Sequence, residues 1–176
     1  RCLMSVNFRL GGAAAFFRVP LSEARDGLVD LDRLWGNDAS VVRERLLEAA
    51  TPAAKLRVLE RVLLEQLLRL DPPDRALPFA ASLLERGIAV SEVSSRVGLL
   101  PKTLVRRFRA LVGLSPKRFS RVRRLQRVVR SIRDPNDVDW CETAALHGYA
   151  DQAHLIHDFR EMTGITPTAY RPRSSE

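Results

Sequence analysis

The chain has 176 residues, of which 45% are hydrophobic, and a formal net charge of +8 at neutral pH. This length allows one compact domain, or a small domain joined to part of another. No apolar run approaches the roughly 18 residues of a membrane span, and the first residues lack the regions of a signal peptide. We therefore expect a cytoplasmic protein without a membrane partner.

The positive charge is concentrated in the C-terminal part. Residues 1–76 hold 12 Lys/Arg and 11 Asp/Glu, whereas residues 77–176 hold 17 and 10. Between Arg96 and Arg133 there are 13 basic residues and no carboxylate. Such a block repels itself unless an anion neutralises it, which favours a polyanionic partner over a solvated basic face.

The N-terminal part predicts helices but no site. Apolar residues fall at helical spacing over 22–35, before a natural stop at Gly36: Leu28, Leu31, Leu34 and Trp35. A second helix is predicted from Pro52 to about Leu70, because Thr51 is a good N-cap and proline suits the first turn. Its apolar stripe comprises Leu56, Leu59, Leu63, Leu67 and Leu70 and is broadened by Val58, Val62, Leu64 and Leu68. This breadth favours packing within the chain over a dimer zipper.

The sequence Asp71, Pro72, Pro73 ends this helix, since proline breaks the hydrogen-bond ladder and biases its predecessor away from helix. We take it as the domain boundary. Residues 1–71 are then a helical connector with the end of a preceding domain, and residues 74–176 form a second domain. Arg86 and Gly87 are predicted to end the first helix of that domain.

An internal duplication becomes visible when the chain is compared with itself. The copies cover 91–119 and 141–170, and the corresponding residues are Ser94/Ala144, Gly98/Gly148, Phe108/Phe159, Gly113/Gly164 and Pro116/Pro167. A small residue lets two helices cross closely, and the glycine four positions later supplies the positive φ of a sharp turn. Each copy is thus predicted to be helix, glycine turn, helix.

In DNA-binding proteins the second helix of such a pair lies in the major groove and presents its N-terminal half to base edges. In the first copy we predict this helix at about 101–110, with an exposed face of Lys102, Thr103, Arg106 and Arg107. Arginine binds O6 and N7 of guanine with two hydrogen bonds, so Arg106 is predicted to read a base. Thr103 and Arg107 are assigned to phosphates.

In the second copy the corresponding helix is predicted at about 151–162. Its face carries Gln152, Ala153, His154 and His157. Glutamine pairs with adenine, and histidine donates to a phosphate or a base edge; we assign His154 to phosphate and His157 to a base. The neighbouring carboxylates of Asp151 and Asp158 weaken the positive charge of this face.

A helix from Ser115 and Pro116 to about Ile132 is predicted to join the copies. Its apolar face comprises Phe119, Val122, Leu125, Val129 and Ile132, and arginines cover its other sides. At about 1.5 Å per residue it spans roughly 25 Å, close to the roughly 34 Å between successive major grooves. We assign Lys117, Arg121 and Arg124 to DNA phosphates.

Over residues 90–171 the chain resembles the C-terminal DNA-binding domain of the AraC/XylS family of bacterial transcription regulators. The most specific part is A-x-x-x-G-Y followed by DQAHLIHDFREMTGITPTAY. The resemblance implies an all-α fold with two helix-turn-helix subdomains, a long basic linker helix, and before them a small helical segment and the end of a truncated N-terminal domain. It implies base contacts from Lys102, Val105, Arg106, Ala153, Ile156 and His157.

The same resemblance implies a transcriptional activator or repressor that binds double-stranded DNA and has no cofactor. The partners implied besides DNA are RNA polymerase, a small-molecule effector held by an upstream domain, and a second copy of the chain. Residues 8–35 resemble the tail of the sensor domain that precedes the DNA-binding part in some of these regulators.

The sequence also bears on three other functions. A metal site is not expected, because Cys141 and the three histidines would not converge as zinc ligands. An enzyme is not expected, because neither Cys2 nor Cys141 lies beside a His or Lys in an activating motif. The main alternative is an architectural protein that binds DNA without sequence preference, since it would use the same arginines on phosphates.

Overall fold

The computed structural model describes residues 4–8, 11–17, 19–24, 27–68, 76–132, 134 and 137–171. These residues form α1 (Leu31–Trp35), α2 (Asp38–Glu48), α3 (Pro52–Leu67), α4 (Ala76–Glu85), α5 (Val90–Arg96), α6 (Pro101–Val112), α7 (Pro116–Ser131), α8 (Trp140–Leu146) and α9 (Gln152–Thr163). Short 3-10 turns cover Ala13–Ala15, Leu21–Glu23 and Pro167–Ala169. No β-strand occurs in these ranges, so the predicted all-α fold class is confirmed. None of the described helices is long and apolar enough to cross a membrane.

The chain forms two compact units. Unit 1 comprises residues 1–80 and 94–115, and unit 2 comprises residues 81–93 and 116–176. Helix α6 therefore belongs to unit 1, and α7 with the second repeat belongs to unit 2. The boundary predicted at 71–74 lies outside the described residues and stays a prediction.

A small core joins α1, α2 and α3 in unit 1. Its buried members are Trp35, Ala39, Val42 and Val62. The indole Nε1 of Trp35 donates a hydrogen bond to the carbonyl of Phe16 at 2.6 Å, which ties the segment before α1 to this core. The hydroxyl of Thr51 accepts a hydrogen bond from the Ala54 amide at 3.1 Å, so the predicted N-cap of α3 is confirmed.

One prediction for unit 1 was wrong. The helix expected over 22–35 is replaced by a 3-10 turn at Leu21–Glu23 and the short α1, because Asp30 is extended and Leu28 is fully exposed instead of facing a core. The broad apolar stripe of α3 is covered only in part: Val62 is buried and Leu63 packs against the core, whereas Leu56 and Leu67 are half exposed. Only the side of α3 that meets α2 is covered. The predicted end near Leu70 lies beyond the described part.

Helices α7, α8 and α9 share the core of unit 2. Its buried members are Leu125, Val128, Ile132, Trp140, Ala144, Tyr149, Leu155 and Phe159. Three residues of the predicted apolar face of α7 are confirmed as buried, namely Phe119, Leu125 and Ile132, and Val128 adds a fourth that the spacing did not indicate. The linker helix and the second repeat are consequently one packed body, in which α7 is the support of α9.

Candidate nucleic-acid interface

The same glycine turn occurs in both repeats. Gly98 has φ +67° and Gly148 has φ +74°, in the left-handed region that favours glycine. The residue after each glycine donates its amide to the small residue four positions before the glycine: Leu99 to the Ser94 carbonyl at 3.1 Å, and Tyr149 to the Ala144 carbonyl at 2.9 Å. Ser94 and Ala144 are both buried, which confirms that the duplication in sequence is a duplication in local structure.

Helices α6 and α9 also end in the same way. Gly113 after α6 has φ +82° and Gly164 after α9 has φ +78°, and each donates its amide to a carbonyl four residues earlier at 2.9 Å. These are left-handed C-caps. The predicted bounds of 101–110 and 151–162 agree with α6 and α9 to within two residues.

The predicted base-reading face of α6 lies at the surface. Leu104 and Phe108 are fully buried, which turns the opposite side of the helix outward. On that side Lys102 and Arg106 are exposed, while Thr103, Val105 and Arg107 are partly exposed. Each predicted DNA-contacting residue of the first repeat is thus at least partly accessible within unit 1.

A segment of the N-terminal part lies against this face. The 3-10 turn at Leu21–Glu23 packs on α6, and its Leu21 carbonyl approaches Gly113 so closely that an added Cβ there would lie 3.1 Å from the oxygen. Between them is a groove of about 590 Å³, lined on one side by Pro20 and Ser22 and on the other by Lys102, Val105, Arg106, Arg109 and Ala110. No pattern in the sequence indicated this contact.

The predicted face of α9 is less open. Ala153 and His157 are exposed, whereas Gln152, His154 and Ile156 are partly buried. The amide oxygen of Gln152 accepts a hydrogen bond from the Cys141 thiol at 3.2 Å. The carboxylate of Asp151 accepts from the His154 amide at 2.7 Å and caps α9. Asp151 therefore has a local structural role at the start of this helix.

Asp158 links α9 to α7. Its carboxylate accepts from Arg121 Nη2 at 2.7 Å and from Arg124 Nη2 at 3.1 Å, although its side chain is only 2% exposed. Arg121 also pairs with Glu161 at 2.5 Å. From the sequence, Asp158 is predicted only to weaken the positive charge of the α9 face. The signal for its real position was its place directly before Phe159, on the side of α9 that faces the core.

Arg124 is held on three sides. Besides Asp158, it donates to the Gly148 carbonyl at 3.0 Å, and its guanidinium lies over the Tyr149 ring at 4.1 Å. The latter distance is that of a cation–π contact. Arg124 thereby connects α7 to the glycine turn and to α9 together.

These contacts determine the charge states of the cluster. Burial by itself raises the pKa of Asp158, but hydrogen bonds from Arg121 and Arg124 outweigh it and hold that pKa below its ordinary value. Hydrogen bonds from Arg121 likewise lower the pKa of Glu161, and the pKa of Arg121 is raised, mainly by Asp158. The cluster is an ion-paired network at neutral pH.

The residues assigned to DNA phosphates now fall into two groups. Lys117 and His154 are accessible, the first fully and the second in part. Arg121 and Arg124 retain 27% and 21% exposure, but their donors are shared with Asp158. Their contact with phosphate stays a prediction, and their contact with Asp158 is a structural role that sequence reasoning missed.

Comparison with known proteins gives one match. The family model of a helix-turn-helix domain matches residues 81–173. No curated protein and no solved structure matches the chain. The matched range covers more than half of the chain and contains both glycine turns and helices α6, α7 and α9. The chain belongs to the helix-turn-helix family of AraC/XylS type, whose members are DNA-binding transcription regulators.

Proposed function

We propose that this protein binds double-stranded DNA sequence-specifically, with α6 and α9 reading bases in successive major grooves. The observation that carries the proposal is the repeated local structure: a glycine turn followed by a helix whose N-terminal half has an exposed face. That face includes Lys102 and Arg106 in α6 and Ala153 and His157 in α9. Helix α7 has 16 residues and spans about 24 Å, which suits the spacing of adjacent grooves.

The two helices read bases by different chemistry. In α6, Arg106 is suited to guanine, Lys102 to a base acceptor and Val105 to a thymine methyl group. In α9, Gln152 is suited to adenine, His157 to a base acceptor, and Ala153 and Ile156 to apolar contacts. We expect α6 to contribute more affinity because its face carries full positive charges.

Phosphate contacts keep the helices in register. We assign them to Thr103, Arg107, Lys117 and His154. Arg121 and Arg124 act first as positioning residues, since they fix α9 on α7 through Asp158, and their exposed edges add positive potential toward the DNA backbone.

The N-terminal turn must move for α6 to enter DNA. An α-helix with its side chains is about 10 to 12 Å across, and the major groove is about 12 Å wide, so one helix fills it. Pro20 and Ser22 lie beside the base-reading face of α6, in space that DNA would occupy. We therefore expect two arrangements of this segment, and only the one in which it has left α6 allows base contacts.

The remaining partners follow from the regulator role. We propose that this protein acts in the cytoplasm, where the chromosome lies, and that it contacts RNA polymerase or excludes it from a promoter. An effector bound by an upstream domain would shift the position of the N-terminal segment, and a second copy would extend the site to two half-sites.

The test is selection of bound sequences from random duplex DNA with the full chain, followed by affinity measurements with Arg106→Ala. We expect a loss of about 1 to 3 kcal/mol on the selected duplex and little change on a random one. Lys117→Ala is the matched control: it should weaken both duplexes alike and reduce the salt slope by about one unit. If no sequence is enriched, or if Arg106→Ala weakens both duplexes equally, the architectural alternative is correct.

A further inference from the structure

All three histidines of the chain line one cleft in unit 2. The cleft lies between the loop after α4, the linker helix α7 and the start of α9, and has a volume of about 1160 Å³. That exceeds the roughly 300 to 1,000 Å³ of typical small-molecule pockets. Five basic residues line this cleft, namely Arg86, Lys117, Arg121, Arg124 and Arg127. It suits an extended anion.

The position of the cleft fits one strand of the DNA backbone. When a recognition helix lies in the major groove, the phosphates of both strands flank it, because the groove is only about 12 Å wide. This cleft lies along one side of α9, where His154 and His157 line it. A strand beside α9 would therefore pass along it, if α9 binds as proposed above.

Most guanidiniums of the cleft are already engaged by protein acceptors. Arg121 and Arg124 pair with Asp158, and Arg127 donates to the Glu85 carbonyl. A phosphate in the cleft must therefore find further donors. His147 is partly exposed there, and an imidazolium offers N–H donors with a full positive charge.

The surroundings of the two histidines are defined. His147 Nε2 lies 3.1 Å from the Ser131 hydroxyl. Burial, and secondarily the charge of Arg127, lower the pKa of His147, so it is neutral at pH 7 in the free protein. His154 Nδ1 accepts from the Ala150 amide at 3.4 Å, and its Nε2 lies 3.4 Å from Arg124 Nη2 and 4.0 Å from Asp158 Oδ1.

The charged groups around the cleft come from three elements. The loop contributes Glu85 and Arg86, α7 contributes Lys117, Arg121, Arg124 and Arg127, and α9 contributes Asp158, with Glu161 beside His157. Cations outnumber carboxylates, which disfavours protonation of an imidazole in the empty cleft. A phosphate reverses this balance, because an adjacent negative charge stabilises the protonated form.

We propose that His147 binds a phosphate of the DNA backbone in this cleft and takes up a proton as it does so. This inference rests on the proposed DNA-binding function and assigns a role to His147, which no sequence pattern indicated. Because binding then includes proton uptake, affinity for any duplex must increase as the pH falls toward 6.

The experiment measures dissociation constants by fluorescence anisotropy at constant ionic strength, between about pH 8 and pH 6, on the selected duplex and on a mixed-sequence duplex. For the wild type we expect about tenfold tighter binding at the lower pH on both duplexes, corresponding to a shift of one pKa unit. The variant His147→Gln should show little pH dependence. His157→Gln is the matched control: it should retain the pH dependence and lose affinity only for the selected duplex.

A second measurement needs no variant. Calorimetry in buffers with different protonation enthalpies counts the protons that the wild type takes up on binding DNA, and we expect uptake at neutral pH. Zero uptake, an unchanged pH dependence in His147→Gln, or a pH dependence confined to the selected duplex would overturn the inference while sequence-specific binding stands. If the wild type enriches no sequence, the proposed function itself fails. Should His147→Gln not fold, the proton count of the wild type decides the inference.

Discussion

The buried carboxylate of Asp158 lies 2.7 Å from Arg121 Nη2, and this pair joins α9 to α7. Arg124 adds a second ion pair to the same carboxylate at 3.1 Å. A buried carboxylate with two partners is well compensated, whereas either side alone is costly. The orientation of α9 on α7 therefore depends on this buried carboxylate, which acts beside the surface pair of Arg121 with Glu161.

Asp158→Asn should destabilise the protein. The substitution keeps the side-chain shape but removes the buried anion. Arg124 loses its ion pair with Asp158, and Arg121 keeps its surface pair with Glu161, so we expect the free energy of unfolding to fall by about 2 to 4 kcal/mol. This is somewhat below the cost for a fully buried pair, because both arginines are partly exposed. Chemical denaturation monitored by circular dichroism measures the change. Glu161→Gln is the control, and its effect should be much smaller because Glu161 is on the surface. Equal effects of the two substitutions would contradict the assigned role of Asp158.

The same residue predicts a loss of stability in acid. A carboxyl whose pKa is lower in the folded state stabilises the fold above its unfolded value, near pH 4, and that contribution disappears as the pH falls through the folded value. The pKa of Asp158 is lowered in this way, as hydrogen bonds from Arg121 and Arg124 outweigh its burial. The free energy of unfolding should therefore fall below about pH 4 more steeply in the wild type than in Asp158→Asn. Parallel curves for the two proteins would exclude Asp158 as the source.

Tyr149→Phe is expected to leave stability unchanged or to increase it by about 1 kcal/mol. The Tyr149 hydroxyl is buried and has no hydrogen-bond partner among the described residues, and burial raises its pKa. Removing an unsatisfied polar group relieves its desolvation cost. Phenylalanine keeps the ring face under Arg124, whereas Tyr149→Leu removes it and should be destabilising. Thermal melting compares the three proteins; a clear loss in Tyr149→Phe would reveal a partner for the hydroxyl.

Leu21→Ala should increase affinity for DNA. The substitution removes apolar contact between the N-terminal turn and α6, which costs the covered arrangement about 1 kcal/mol. That energy corresponds to about a fivefold shift of the equilibrium toward a free recognition helix. Anisotropy titration of the selected duplex detects the change. Leu28→Ala is the control, because Leu28 is fully exposed and its loss should have no effect. Unchanged or weaker binding by Leu21→Ala would show that the turn does not compete with DNA.

The repeat and its glycine turns could be predicted from the sequence, because they depend on local rules. A positive φ at Gly98 and Gly148 requires glycine whatever surrounds it, and the periodicity of apolar residues indicated α6, α7 and α9. The family followed from the same residues. Where local patterning was ambiguous, as over 22–35, the prediction was wrong: helical spacing of leucines does not reveal whether a core exists for them to face.

Only the tertiary structure decided which charges serve the fold and which remain for a partner. In the sequence Arg121, Arg124 and Lys117 look alike, yet two of them are paired with a carboxylate some 35 residues away along the chain, and the third is exposed. The packing of the Leu21 turn on α6 and the gathering of three histidines in one cleft are likewise long-range contacts. Such contacts arise from the path of the whole chain, and no local pattern of residue types encodes them.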